Sequence, residues 1–383
     1  MTRTLAAVPP MGWNSWNGLG ARVSEKSVRG VAGALASSGM RELGYRYVVI
    51  DDCWSMKTRD SHGNLVPDRE RFPDGMAPLA QYVHSLGMKL GIYSDAAELT
   101  CGKYLGSLDF EQQDAALWAS WGIDFLKYDY CNAPADQPTA IARYRRMGEA
   151  LRSTGREFLF SACEWGGRSP WLWARDIGAH IWRATADVLD SWTDVFVPQA
   201  NWTGIGIDTA IEEAAPLHEY AGPGGWNDLD MLVIGLKGRG NIPGDGATFF
   251  EYRSQMSMWC MLCSPLMIGC DITTMDEKTR EILTNPEVIA LDQDPLGKQA
   301  VRIRSESGQE VWKRPLLDGS MALALRNRTS SAADIAVRAG ELGLLDSYKG
   351  RVRDLWKRED GDFSSPLSRR VQPHDTVLLK IGP

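Results

Sequence analysis

The stretch Gly122-Ile123-Asp124-Phe125-Leu126-Lys127-Tyr128-Asp129-Tyr130-Cys131-Asn132 passes from an apolar, strand-like run to a carboxylate. Residues 123–128 read as a buried strand, and Asp129 stands where that strand stops. A strand-end aspartate often caps the following helix. Here it has a lysine two residues before it and a tyrosine and a cysteine just after, which is also the group set of a catalytic centre. On spacing alone both readings stand.

Working outward, the same unit recurs. Tyr45 to Ile50 is β-branched and aromatic and ends in Asp51-Asp52-Cys53-Trp54; Met88 to Tyr93 ends in Ser94-Asp95; Glu157 to Ala162 ends in Cys163-Glu164-Trp165. His180 to Arg183 leads to Asp187, Tyr220 and the residues after it lead to Trp226-Asn227-Asp228, and Leu262 to Ile268 leads to Gly269-Cys270-Asp271. Helical patterns lie between these runs at 79–85, 110–121 and 139–153, and earlier at 24–38, where Ser24 is the cap and Val28, Val31 and Leu35 share a face. Such repetition over roughly 285 residues predicts a (β/α)8 TIM barrel, whose active site is built at the C-terminal strand ends. An open doubly wound sheet is the alternative, but it would carry a glycine-rich phosphate loop after an early strand. Gly222-Pro223-Gly224-Gly225 opens no helix and reads as a turn.

The pattern changes at Asp294-Pro295-Leu296-Gly297. Beyond it, Val301–Arg304, Glu310–Lys313, Met321–Leu325 and Val377–Ile381 alternate with period two between Gly, Ser and Asn turns. That spacing predicts a small antiparallel β-sandwich. The expected organisation is a catalytic barrel over 1–295 and a β-sandwich domain over 296–383.

The net charge of -7 argues against nucleic acid as a partner. The charge is unevenly placed, with twelve more acids than bases up to residue 295 and five more bases than acids after it. Met256 to Ile268 is the most apolar run, but Ser264-Pro265 interrupts it short of a bilayer span, so no membrane association is expected. Residues 1–10 are too short for a secretory h-region with its cleavage site, which predicts a cytoplasmic address, or a secreted or periplasmic one if a leader has been removed. Seven cysteines are too few and irregular for a disulfide scaffold, and Cys260-Met261-Leu262-Cys263 reads as buried core. The five histidines show no metal-ligand spacing, so neither a metal nor a cofactor is expected. The oligomeric state is not legible.

Strand ends thus supply Asp51, Asp52, Asp95, Asp129, Glu164, Asp187 and Asp228, with tryptophans at 13, 16, 54, 165 and 226 close by. Carboxylates fix sugar hydroxyls by charge-assisted hydrogen bonds, and aromatic faces cover the apolar side of the ring. Cleaving a glycosidic bond needs two carboxyl groups in different states. The partner this set suits is a small carbohydrate.

The motifs Pro10-Met11-Gly12-Trp13-Asn14-Ser15-Trp16, Asp51-Asp52-Cys53-Trp54, Leu90–Asp95, Lys127-Tyr128-Asp129, Cys163-Glu164-Trp165, Trp182-Arg183 with Asp187, Ala221–Asp228 and Asn285–Gln299 occur in one order. Together they resemble glycoside hydrolase family 27, the α-galactosidases (melibiases) and α-N-acetylgalactosaminidases, in its plant and microbial form. The resemblance implies a retaining mechanism with Asp129 as nucleophile and Asp187 as general acid/base. It implies that Asp51 and Asp52 bind the 4- and 6-hydroxyls of galactose and that Trp16 covers the sugar's apolar face. Lys127 would hold the 3- and 4-hydroxyls and Arg183 the 2- and 3-hydroxyls, with Tyr93 beside the nucleophile. It also pairs Cys101 with Cys131 in a disulfide at the mouth. The chain departs from the family at Tyr130, where a smaller Asn or Gly is usual and whose ring is expected to narrow the mouth or add a stacking surface. It departs too at Ala97-Glu98, at Leu229, and at Arg22, which leaves Cys53 without a partner.

Cys163 and Trp165 are expected to crowd the 2-position, favouring a hydroxyl over an acetamido group, and Asp51 to reward the 6-hydroxyl. The resemblance therefore implies an exo-acting α-galactosidase for melibiose- or raffinose-type oligosaccharides. An α-N-acetylgalactosaminidase, a β-L-arabinopyranosidase and an inactive galactose-binding homologue are the alternatives.

Overall fold

A computed structural model of the chain describes residues 5–198 and 202–382. Eight parallel strands form one curled sheet: β1 (Met11–Asn14), β2 (Tyr45–Val49), β3 (Lys89–Asp95), β4 (Phe125–Asp129), β5 (Leu159–Ala162), β6 (Ile181–Arg183), β7 (Trp226–Asp228) and β8 (Leu266–Ile268). Their order in space is their order in sequence, with β8 returning to pair with β1. The ring closes just past β7. Leu232 N–H donates to the Met267 carbonyl at 2.8 Å and Gly269 N–H to the Leu232 carbonyl at 3.0 Å. Parallel neighbours need a crossover between them, and most of the crossovers here carry a helix that covers the sheet's outer face.

The local signals explain where these helices begin. Glu25–Ser37 starts at Ser24 in a reciprocal cap with Ser27, and Val28, Val31, Ala32 and Leu35 are buried at helical spacing. Gln137–Ser153 starts at Asp136, whose carboxylate accepts the Thr139 N–H at 2.8 Å. Phe249–Met261 starts at Thr248, paired reciprocally with Glu251.

Two expected strands are shorter than their apolar runs. After Tyr220, residues 222–225 form a tight turn whose glycines exchange backbone hydrogen bonds at 2.9 Å, and Trp226-Asn227-Asp228 is itself the strand. Pro223 has no N–H to give a ladder and Gly224 has φ +87°, so neither fits a central strand. The run Met256–Ile268 is divided between the end of a helix and β8, because Cys263 at φ +55° and the following Ser264-Pro265 turn the chain. Among the described residues no helix is long and apolar enough to cross a membrane.

Residues 301–381 form an antiparallel sandwich. One sheet has six strands in the order Val301–Glu306, Gln309–Pro315, Met321–Asn327, Thr376–Ile381, Arg351–Asp354, Glu359–Asp362, and Ala333–Val337 pairs with Leu367–Val371 in the other. Part of the uneven charge of the sequence meets where sandwich and barrel dock. Arg302, Arg326 and Arg328 of the sandwich are paired with Asp208 and Glu212 on the barrel helix Ile207–Ala214. Arg326 is fully buried and also meets buried Glu310 at 2.9 Å. Such a cluster specifies which faces dock more than it stabilises them, since the desolvation of each charge offsets much of the attraction.

Candidate active site

At the C-terminal ends of the barrel strands lies a cavity of about 400 Å³ whose lining includes Trp16, Asp51, Asp52, Tyr93, Cys101, Lys127, Asp129, Cys131, Cys163, Trp165, Arg183 and Asp187. These are the twelve residues expected from sequence, drawn from six strands.

β2 ends in the first pair. The Asp51 carboxylate accepts from Asn14 Nδ2 at 2.7 Å and from Lys127 Nζ at 2.8 Å, and its other oxygen takes the Asp52 N–H at 2.9 Å. Asp52 accepts the Cys53 and Gly102 N–H groups, each at 2.6 Å. Gly102 follows Cys101, which is joined to Cys131 in a disulfide, so the loops after β3 and β4 are tied together beside Asp52.

Asp129 is the last residue of β4, in register with Asp95 of β3. It accepts the Tyr130 N–H at 3.0 Å, and the Tyr93 hydroxyl lies 3.1 Å from its other oxygen. Burial pushes its carboxyl up to about 7, opposed by the cation of Lys127 and reinforced by Asp187. Burial and then Asp129 push Asp95 higher, to about 9. Asp95 does not line the cavity; it accepts the Ala97 and Cys131 N–H groups at 2.9 Å and so shapes the two loops. Two carboxylates this close do not both ionise readily, and the one beside the lysine is the one that loses its proton first.

Asp187 reaches the cavity from the loop after β6, half exposed, with Arg183 Nη2 at 2.9 Å. Arg183 is buried and meets Asp230 at 3.0 Å. Asp230, a lining residue missed from sequence, also accepts the Val188 N–H at 2.9 Å and so fixes the start of the loop that carries Asp187. Its signal was faint: it lies two residues past a strand-end aspartate, at φ +77°, where the chain has already left the strand.

Three members of the expected acidic rim are elsewhere. Asp95 supports loops, Asp228 accepts the Asp230 N–H, and Glu164 is buried against Arg168 at 2.9 Å. Of the five tryptophans, only Trp16 and Trp165 line the cavity. Trp13, Trp54 and Trp226 are core residues whose indole N–H groups reach the carbonyls of Cys270, Tyr93 and Ala6 at 2.8 Å. Tyr130 neither narrows the mouth nor offers a stacking surface there. It is buried against Tyr144, ring centroids 5.7 Å apart, with the Arg168 guanidinium 4.4 Å above it. Its neighbour Asp129 faces the cavity, and successive side chains of an extended chain point opposite ways. Asp95, Cys101, Asp129 and Cys131 bring potential ligand atoms within 4.8 Å of one another, but the two sulfurs are bonded together and offer no thiolate.

Replacing Lys127 by Met is expected to move the acidic limb of kcat/KM to higher pH by about one pH unit. The sign follows from the charge: without the cation the ionised form of Asp129 is less favoured, so more base is needed to reach it. A pH–rate profile whose acidic limb stays in place or moves down would show that Lys127 does not set the ionisation of Asp129.

The barrel and its carboxylate-lined, water-accessible cavity define a glycoside hydrolase. Residues 8–294 match the family model described as alpha galactosidase A, and residues 306–381 match the alpha galactosidase C-terminal beta sandwich domain. The chain belongs to this α-galactosidase family, glycoside hydrolase family 27. It is 42% identical to an alpha-galactosidase of Oryza sativa subsp. japonica over 99% of its own length and 86% of the relative's. Alpha-galactosidase I of Mortierella vinacea superposes with a TM-score of 0.92 at 38% identity, covering 100% of this chain and 98% of that one. An α-galactosidase of Saccharomyces cerevisiae, solved with raffinose, superposes at 0.90 with 29% identity, covering both chains fully (100% of each).

Proposed function

We propose that this protein is an exo-acting, retaining α-galactosidase that removes terminal α-D-galactosyl residues from melibiose- or raffinose-type oligosaccharides. The observation that carries the reading is that one cavity brings together a buried carboxylate beside a lysine, Asp129, and a half-exposed carboxylate on an arginine, Asp187. The cavity also holds the Asp51–Lys127 pair, whose outer atoms suit the hydroxyls of a single sugar.

In this reading ionised Asp129 attacks C1 of the galactosyl unit from the face opposite the departing oxygen. Asp187 delivers its proton to that oxygen as the C1–O bond breaks. The β-linked galactosyl ester on Asp129 is then opened by water, whose proton returns to Asp187, and α-galactose leaves. Arg183 and Asp230 hold Asp187 and its loop in place, while the Tyr93 hydroxyl and Tyr130 N–H orient Asp129. Cys163 and Trp165 at the cavity wall beside Arg183 support a 2-hydroxyl over the bulkier acetamido group, and Asp51 supports a sugar that carries a 6-hydroxyl.

Turnover of the nitrophenyl α-galactoside, α-N-acetylgalactosaminide and β-L-arabinopyranoside tests this reading. The galactoside is expected to exceed the other two in kcat/KM by about 100-fold or more, because the acetamido group meets the Cys163–Trp165 wall and the arabinoside leaves Asp51 without its hydroxyl partner. A higher value for either competitor sinks the galactoside reading, and no turnover of any of the three points to a binding protein.

A further inference from the structure

The cavity has one wall that the roles above leave unused: Asn241, Ile242 and Pro243, from the glycine-rich loop 235–246, together with Leu189. We infer that this loop is the leaving-group subsite and that Asn241 and Ile242 select a sugar, rather than a simple leaving group, on the far side of the scissile oxygen. The inference rests on the galactosidase reading and concerns a separate set of residues.

Its position follows from what the loop is fastened to. Near the loop's middle the Asn241 N–H donates to the carbonyl of Asn17, the residue after Trp16, at 2.7 Å. Gly240, at φ +140°, lies so close to that carbonyl that a Cβ there would stand 2.4 Å from it. Both ends of the loop are held by Asp190, three residues past Asp187. Asp190 N–H donates to the Pro243 carbonyl at 3.3 Å, and its buried carboxylate takes the Gly238 N–H at 2.7 Å, the Ala247 N–H at 3.1 Å and the Tyr252 hydroxyl at 2.8 Å. The loop is therefore clasped at its base close to the acid/base and reaches the chain beside Trp16 with its tip. Asp187 and this loop line the same cavity, and the loop is fastened three residues beyond Asp187, so a group attached to the oxygen that Asp187 protonates would meet this wall.

The wall has the chemistry of a sugar contact. Asn241 is exposed and offers a carboxamide, a donor and an acceptor together, which suits a pair of neighbouring hydroxyls. Its position is set by Gly20: a Cβ at residue 20, φ +52°, would lie 2.2 Å from Asn241 Cγ, so only glycine leaves the amide room there. Ile242, half-buried at the cavity edge, supplies apolar surface for the ring's carbon face. Gly240 and Gly244 let the backbone approach Asn17 and Asp190 this closely, a Cβ at either standing 2.4 and 2.5 Å from their carbonyl oxygens.

The test compares raffinose with α-galactosyl fluoride, whose leaving group is a single atom and touches no such wall. In Asn241→Ala, and separately in Ile242→Ala, the ratio of kcat/KM for raffinose to that for the fluoride is expected to fall about three- to tenfold, the usual weight of one neutral contact. Both side chains are on an exposed or half-buried loop, and a thermal melt matching the parent's confirms that each variant is folded. A ratio that stays at the parent's value in both variants, or equal losses on both substrates, overturns the inference. A parent protein that turns over neither substrate refutes the galactosidase reading instead.

Discussion

Asp129→Gly is expected to hydrolyse α-galactosides at least about 10⁴-fold more slowly than the parent, and sodium azide to restore turnover with β-galactosyl azide as the product. The buried carboxylate is aimed by the Tyr130 N–H and lies against the Tyr93 hydroxyl. Glycine removes the nucleophile and opens its space, and a small anion entering there attacks from the same face, giving the inverted anomer. Asp129→Asn keeps the shape of the side chain while losing its nucleophilicity; it should fail to turn over and still bind galactose, by inhibition or calorimetry. An Asp129→Asn variant within tenfold of the parent's kcat removes Asp129 from the nucleophile's place.

Asp187→Ala should show a different signature. General acid catalysis is worth about 10²- to 10⁴-fold where the leaving group needs a proton. Raffinose turnover is therefore expected to fall by about 10³-fold, while α-galactosyl fluoride still forms the galactosyl enzyme because fluoride departs unprotonated. Deglycosylation then limits, since the base for water is also gone, and a burst precedes slow turnover. Azide, which needs no base, rescues this second step and yields α-galactosyl azide, the anomer opposite to that from Asp129→Gly. Equal losses on both substrates, or exchanged azide anomers, would reverse the two assignments. Asp187 stands half exposed on Arg183, and its own loop is pinned through Val188 to Asp230, so the loss reports chemistry rather than collapse of the barrel.

Much of the site was legible because its signals are local. Lys127 and Asp129 are two apart in a strand and share a face, and Asp51-Asp52 ends a run whose burial is evident from its own residues. Tyr130 was misread for the opposite reason. Its partners, Tyr144 and Arg168, come from the following helix and from the loop beyond β5, and no spacing within 122–132 announces them. The charge asymmetry between the two parts of the chain was visible as a count. Its meaning, three arginines of the sandwich on two acids of one barrel helix, required the docked faces.

The sequence by itself determined the succession of strand and helix, the turn at 222–225, the sandwich pattern and the carboxylates that end the strands. Each of these is a property of a few neighbouring residues: a two-residue period, a cap, a glycine or a proline. Only the tertiary structure decided which of those carboxylates share a cavity. Asp95 and Asp129 are register partners on adjacent strands, yet one side chain is taken up by backbone N–H groups of the loops and the other faces the substrate space. Asp230 and the Asn241–Pro243 wall enter the site from beyond β7, while the Asn17 carbonyl that takes the Asn241 N–H lies more than two hundred residues earlier. The physical reason is closure: a barrel brings its first and last strands together, and the contacts made there belong to no local stretch of chain.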